Sequence, residues 1–517
     1  MQSIEYSAPP EAATAPLSLR GLLLRLAAWL EAHPVLLGAA CIVPLLAKAL
    51  AMIPRKPAAF DEIFTLVISK LSPAGAWNAL LAGADNQPPF YYWLNHSSLA
   101  FVGNETLGLR FWSMLGAVLV SVCLYLIAGQ RLGWIYGALA VMIARLSEIE
   151  AWTWEARPYA LVSGAIALAT LGWMSRERAA RWPLVCFAVG LTLAASLHYF
   201  AILAWIPFAA GQAIADRERG RIDLPVWGVM AVAAIPWAAQ LLAMQEALRQ
   251  YSGHFWEPPS ASRIVFEFYR LLDGALLVFV PFFFAWVALR RPSPERSISL
   301  FSRAELTFLA LLASAPMWTY LVLSRAGAYG FRYFVYSVLG WAIVIPMLFR
   351  FAEAGVRGIT TAAVVVTVPL LALGSARAAV RGPSPLGITA DYEQLRRYEP
   401  GKPVLMPEPL KYVEAQFHAP ADLKNRLVYP LDRERSIRFN GKDTGILSVQ
   451  GLSPLLGLNT PSYDSFFKDR NEVLIWQSKN TEFKSWIPAT LMKEGWSIQW
   501  RTEWSQTEVL LARRSAP

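Results

Sequence analysis

Trp182 to Ala215 reads WPLVCFAVGLTLAASLHYFAILAWIPFAAGQAIA, an apolar run without a charged residue, in which His198 is the single histidine. As one helix it would extend roughly 50 Å at about 1.5 Å per residue, well beyond the ~30 Å of hydrocarbon that one crossing covers. Arg176, Arg178 and Arg181 precede it, and Arg217, Arg219 and Arg221 follow it. Short Arg-rich loops stay on the cytoplasmic side of a membrane, which puts both ends of the run inside. The run is therefore expected to be a helical hairpin with His198 and Tyr199 at its outer turn.

Outward from the hairpin, charge-free apolar stretches recur at 111–130, 158–175, 224–245, 306–324 and 358–376. Each is near the ~20 residues a spanning helix needs. Stretches that are shorter, or carry a charge near one end such as Lys48 or Arg145, lie at 34–53, 132–147, 274–289 and 333–349. Counted with the hairpin they predict about eleven spans and a cytoplasmic N-terminus. The same parity puts Arg131, Arg290, Arg291, Arg296, Arg303, Arg350 and Arg357 inside. Outside fall 54–107, 148–157, 246–273, 325–332 and everything after about 378.

Composition agrees with a multi-pass inner-membrane protein: 55% of residues are hydrophobic, 16% are charged, and the mean hydropathy is +0.37. The net charge of +10 sits largely in Arg clusters between apolar stretches. A nucleic-acid binder would gather it on a soluble domain, so no nucleic-acid partner is expected. Cys41, Cys123 and Cys186 lie inside apolar stretches, which leaves no disulfide framework and no Cys-based metal site. Val35 to Ile53 reads as a retained anchor and not as a cleaved signal. Leu17 to Leu30, with Arg20 and Arg25 among leucines, suits either an amphipathic helix on the cytoplasmic leaflet or a solvated arm.

The expected organisation is a cytoplasmic arm over 1–33, an all-α transmembrane domain over 34–377 whose first outer loop is 54–107, and a small periplasmic α/β domain over 378–517. In the last, Val404-Leu405-Met406, Leu427-Val428-Tyr429, Val473-Leu474-Ile475-Trp476 and Val509-Leu510-Leu511 read as strands, and Pro409–His418 and Trp486–Lys493 as short helices. This tail carries no nucleotide fingerprint and no metal-ligand cluster.

The unusual chemistry lies in the outer segments. Asp61 and Glu62 follow the first span in an apolar and aromatic setting, where a carboxylate is costly unless hydrated, paired or working. A solvated acidic pair at the membrane surface is the plain alternative. Asp85 precedes Asn86-Gln87-Pro88-Pro89-Phe90-Tyr91-Tyr92-Trp93, where two prolines impose an extended turn and the aromatics suit the membrane interface. Other outer ends hold Glu155-Ala156-Arg157-Pro158-Tyr159, His198-Tyr199-Phe200 and Phe331-Arg332-Tyr333. Arg pairs bidentately with phosphate, a carboxylate can take a proton from a hydroxyl, and aromatics stack on sugars or line a lipid groove. A ligand with both phosphate and sugar fits that set. Plainer roles are open too: Arg157 pairing with Glu155 or Glu150, Arg332 snorkelling beside Tyr333 and Tyr336, and His198 as a hydrogen-bonded structural residue. His254-Phe255-Trp256-Glu257-Pro258-Pro259 reads equally as an acceptor entrance or a packed loop.

In order and spacing, Phe60-Asp61-Glu62, the Asp85 to Trp93 run, Arg110-Phe111-Trp112, Arg157-Pro158-Tyr159, His198-Tyr199 and Arg332-Tyr333 resemble the landmarks of GT-C membrane glycosyltransferases. The similarity runs over about residues 34–376 and is greatest to the branch holding protein O-mannosyltransferases, aminoarabinose transferases and rhizobial galacturonosyltransferases. It implies transfer of a sugar from a polyprenyl-phosphate donor to a lipid, glycan or protein acceptor on the outer face, usually with inversion. Asp61 would match the catalytic acid, with Glu62 beside it. Arg157, His198, Arg332 and Tyr333 would meet the donor phosphate, and Tyr91, Tyr92, Tyr159 and Tyr199 the substrates. Asp85 would match a position that helps bind the acceptor or a divalent cation, which leaves metal dependence open.

Two other readings compete. An oligosaccharide ligase would draw on a diphosphate carrier, but the Trp-Trp-Asp-Tyr-Gly signature of one such family is absent from this sequence. A lipid-glycan transporter or flippase would place charges near the membrane midplane and show internal repeats, whereas the charges here gather at the outer ends.

Overall fold

The computed structural model describes residues 19–178, 180–255, 260–289, 300–324, 329–352, 357–383, 387–443, 445–479 and 485–514. They are mostly helical, with one five-stranded sheet near the C-terminus. Contacts divide them into two compact units. The first takes the described residues of Met1–Pro54, Arg110–Gln240 and Pro259–Gly382, and the second those of Arg55–Leu109, Leu241–Pro258 and Pro383–Pro517. The sequence boundaries kept 54–107 within the 34–377 domain, whereas contacts group that loop with the C-terminal segment.

Five helices are long and apolar enough to cross a membrane: Pro34–Arg55, Glu105–Leu132, Tyr199–Arg219, Phe331–Arg350 and Gly358–Arg381. Two pairs pass only when joined, Leu224–Ala239 with Leu241–Tyr251, bent by 54°, and Arg303–Ala313 with Ala315–Leu323, bent by 62°. Five to seven helices among the described residues thus meet that test, against the about eleven spans expected. Part of the difference is length, because Trp134–Arg145, Tyr159–Met174 and Trp182–Leu197 have only 12, 16 and 16 residues. Another part is breakage. The stretch 224–245 is interrupted at Ala234, just before Pro236, and again at Gln240. The second bent pair breaks at Ser314, just ahead of Pro316. A proline inside a helix removes a donor and crowds the preceding turn.

Within the first unit the chain reverses at His198, whose extended backbone (φ −154°, ψ 128°) separates Trp182–Leu197 from the 3-10 turn Tyr199–Ala204 and the helix Trp205–Arg219. Phe187 and Phe208, one on each arm, stand with ring centroids 5.2 Å apart. Two glycines let the neighbouring helices approach backbone to backbone. A Cβ at Gly164 would lie 2.6 Å from the Gly116 carbonyl oxygen, and one at Gly190 would lie 2.4 Å from that of Ala165. Where lipid removes the hydrophobic drive between helices, such contact is what holds them.

Three of the loop arginines, Arg131, Arg178 and Arg219, lie at one end of this bundle. Arg131 donates to Glu305 (2.5 Å) and to the Met174 carbonyl (2.9 Å), Arg178 to Gln130 (2.5 Å), and Arg219 to Glu177 (2.7 Å). Arg290, Arg291 and Arg296 lie outside the described residues. The N-terminal helix Leu19–Ala32 also has a role in packing, since the Glu31 carboxylate accepts from Trp134 N (2.8 Å) and Ile135 N (3.1 Å) and so caps the helix Trp134–Arg145.

The second unit is built on the sheet. Its strands are β1 (Val404–Leu405), β2 (Leu427–Val428), β3 (Glu472–Ser478), β4 (Trp496–Glu503) and β5 (Thr507–Arg514), in the order β2-β1-β3-β5-β4. β1 runs parallel to β2 and β3, and β5 runs antiparallel to β3 and β4. Val473 to Trp476 are buried without alternation, as in a strand covered on both faces. The covering layer includes the helices Phe60–Ser69 and Pro89–Phe101 from the first loop: Ile63, Phe64, Ile68 and Tyr92 share one core with Val404, Tyr412, Val413 and Leu474. Helices expected at Pro409–His418 and Trp486–Lys493 form over those residues.

Candidate active site

The predicted site residues fall into two groups, one in each unit. In the second unit, Asp61 and Glu62 occupy the first turn of Phe60–Ser69, where carboxylates favour the positive end of the helix dipole. Glu62 is fully buried and turned back on the chain: Oε2 accepts from Ala59 N (3.1 Å) and pairs with Lys56 Nζ (3.4 Å). That is the reciprocal half of a capping box, a structural duty. Asp61 is half-exposed, and the Thr65 hydroxyl bonds its carbonyl at 3.2 Å. The adjoining Phe60 N donates to Glu414 Oε1 at 3.0 Å, and the Ala58 carbonyl accepts from His418 Nε2 at 2.7 Å. Burial foremost pushes the Glu414 carboxyl above its ordinary range, and the charges of Asp61 and Glu62 act in the same direction.

Asp85 is buried, with Oδ1 accepting from Asn86 N and Oδ2 from the Tyr92 hydroxyl, both at 2.7 Å. It ties the loop before Pro89 to the helix that Pro89 begins. Pro88 is the N-cap of that helix and Pro89 its first residue, so the two prolines end in a helix start and not in a longer extended segment. Tyr91 and Tyr92, expected to face substrate, are fully buried, their rings edge to face at 6.0 Å. Among the described residues no group of three or more His, Cys, Asp or Glu is placed to hold a metal ion. Each Asp85 oxygen accepts from a protein donor, so the carboxylate is engaged in holding its own loop.

The first unit gathers aromatic rings around His198. Tyr159 at the start of Tyr159–Met174 lies 5.6 Å from His198 and 6.5 Å from Tyr333 between centroids, and His198 lies 5.2 Å from Tyr333. Phe200 closes on Tyr333 at 5.0 Å, and Trp152 on Tyr159 at 4.5 Å. His198 Nδ1 accepts from Phe200 N at 3.3 Å, an assignment that leaves the ring hydrogen on Nε2. Arg332 is an electrostatic neighbour of that ring. Tyr199 packs differently: its carbonyl accepts from Trp237 Nε1 at 2.9 Å. Arg157 is buried, and its carbonyl accepts from the Ser113 hydroxyl at 3.0 Å. Glu150, one suggested partner of Arg157, is instead engaged by Lys48 at 2.8 Å and by Arg145 at 3.8 Å.

The sequence reading missed Arg270 and Glu414. The Arg270 guanidinium stacks 3.6 Å from the centroid of Phe331, next in sequence to Arg332, and pairs with Glu148 at 3.3 Å. It sits on Arg263–Leu289, where Arg263, Glu267 and Asp273 also carry charge, so that no single residue was set apart. Trp256 to Pro259 lie outside the described residues. His254 is described, and its carbonyl accepts from Asp443 N at 2.7 Å, so it docks on the C-terminal segment of its own unit.

Residues 86–242 match the family model described as dolichyl-phosphate-mannose-protein mannosyltransferase. No curated protein matches the sequence. The crystal structure of ArnT from Cupriavidus metallidurans bound to undecaprenyl phosphate is similar with a TM-score of 0.53 and 14% identity, covering 92% of this chain and 97% of that one. The apo state of the same protein is similar with a TM-score of 0.54, 12% identity and the same 92% and 97% coverage. The oligosaccharyltransferase from Archaeoglobus fulgidus, in complex with zinc and sulfate, has a TM-score of 0.41 and 9% identity over 85% of this chain and 68% of that one. At 12–14% identity the ArnT likeness shows the fold alone, a GT-C fold.

Proposed function

We propose that the chain transfers a single sugar from a polyprenyl-phosphate donor to a hydroxyl of a lipid, glycan or protein acceptor on the outer face of the inner membrane, with inversion. The observation that carries this reading is the cluster of Tyr159, His198 and Tyr333 with Arg332 beside it, in a chain of GT-C fold. A cation, an Nε2–H donor and aromatic faces are what a sugar phosphate needs. Arg157 and Arg270 supply further positive charge on the same unit.

In the reaction, the acceptor oxygen bonds to the anomeric carbon as the bond from that carbon to the phosphate oxygen breaks. The acceptor proton passes to Asp61, and polyprenyl phosphate leaves with its charge met by Arg157, Arg332 and His198. Asp61, half-exposed, suits the base better than Glu62, whose carboxylate is committed to the helix start. Asp85 serves by holding its loop.

The test is transfer from radiolabelled polyprenyl-phosphate sugars by protein in proteoliposomes. Asp61→Asn is expected to lower kcat by about 100-fold or more while donor binding persists. Undiminished transfer by a normally folded Asp61→Asn protein would refute the assignment of the base, and transfer only from diphosphate-linked glycans would favour a ligase.

A further inference from the structure

The helix that presents Asp61 starts without a side-chain cap of its own. Its N-cap residue is Ala59, whose methyl group accepts nothing, and Glu62 serves Ala59 N rather than the N–H groups of the first turn. The Phe60 N–H is instead satisfied by Glu414, 354 residues further along the chain. One turn beyond Glu414 on the helix Pro409–His418, His418 bonds the Ala58 carbonyl, so a single C-terminal helix holds residues 58 and 60 from two points. Both lie within the second unit.

A neutral acceptor would hold Phe60 N at lower cost. Glu414 is only 8% exposed, its neighbours Asp61 and Glu62 are acidic, and Lys411 and Lys56 are the nearby cations. A third carboxylate at this point works against stability, which speaks for a duty other than stability. Changing the hold on Phe60 N changes the path of the first turn and with it the direction of the next side chain, Asp61.

We propose that Glu414 is a positioning residue for Asp61: it takes the Phe60 amide hydrogen and thereby fixes the orientation in which Asp61 meets the acceptor hydroxyl. The inference rests on the reading of Asp61 as the base. It does not make Glu414 a catalytic residue, since Glu414 touches the helix and not the reacting atoms.

The experiment uses the full chain in proteoliposomes, as wild type, Glu414→Ala, Glu414→Gln and Asp61→Asn. It measures transfer from a panel of radiolabelled polyprenyl-phosphate hexoses and pentoses, alongside hydrogen exchange of peptides covering 58–69. Glu414→Ala is expected to lower kcat per folded molecule about 10- to 100-fold, to leave donor KM within about twofold, and to speed exchange at the helix start. Glu414→Gln, whose amide oxygen accepts the same bond, is expected to restore both kcat and protection. A merely structural role would reduce folded yield in Glu414→Ala and leave kcat per folded molecule intact; that result overturns the proposal, as does a Gln variant no better than Ala. An inactive Asp61→Asn beside a fully active Glu414→Ala sinks this inference alone. A wild type that transfers nothing from any donor removes the parent reading and this one with it.

Discussion

Asp61 and Glu62 are adjacent carboxylates with different surroundings, and Asp85 shows a third. Tyr92 donates to Asp85 inside a buried pair, so Tyr92→Phe is expected to destabilise the protein by about 1–3 kcal/mol, read as a lower midpoint in thermal or denaturant unfolding. Glu414 gives a pH-dependent contrast. Its folded pKa is raised, so the protonated form is the better tolerated one. Its contribution is therefore greatest below the ordinary glutamate pKa and is lost as pH rises through the raised value. Glu414→Gln should then have a higher Tm than wild type at neutral pH, with the gap closing in acid, as differential scanning fluorimetry at several pH values would show. Asp61, Asp85, Arg157 and Arg332 are legible in sequence because charge in an apolar context is conspicuous. Glu414 is not, because it stands among ordinary polar residues and its significance is a contact with Phe60 made by folding.

Elements were legible where a local pattern decides them. Pro409–His418 and Trp486–Lys493 form as read, because each has its own start signal and a single apolar face. β4 was missed: Trp496 to Glu503 is a largely exposed edge strand, and Ser, Gln, Arg and Thr between its apolar residues hide it. The stretch 224–245 is apolar enough for one span, but the break at Gln240 depends on packing, and the chain after it belongs to the other unit. Helix pairing is likewise a matter of contact. Gly190→Leu is expected to separate Trp182–Leu197 from Tyr159–Met174, because the side chain would start 2.4 Å from the Ala165 carbonyl oxygen. The cost is several kcal/mol of about the size of overpacking, visible as loss of monodisperse protein in detergent.

At the scale of the molecule, Arg131, Arg178 and Arg219 meet at one end of the bundle. The charges of the loops were legible from sequence because they need only be counted; the lengths and breaks of the spans were not, because they depend on what each helix packs against. The orientation we propose is tested in a variant with Cys41, Cys123 and Cys186 replaced. A membrane-impermeant maleimide should label Lys493→Cys in intact cells, and Ala180→Cys only after the membrane is opened; the reverse order would invert the topology. The bond from Phe60 to Glu414 also has a meaning in time. Synthesis delivers the first loop hundreds of residues before the helix that secures it. Until the ribosome has made Glu414, Phe60 N lacks its acceptor, and Ile63, Phe64 and Tyr92 lack the strands that cover them. The start of the Asp61 helix is therefore completed only after Glu414 has been translated, and a chain abandoned before that point would reach the membrane with that helix start unfinished.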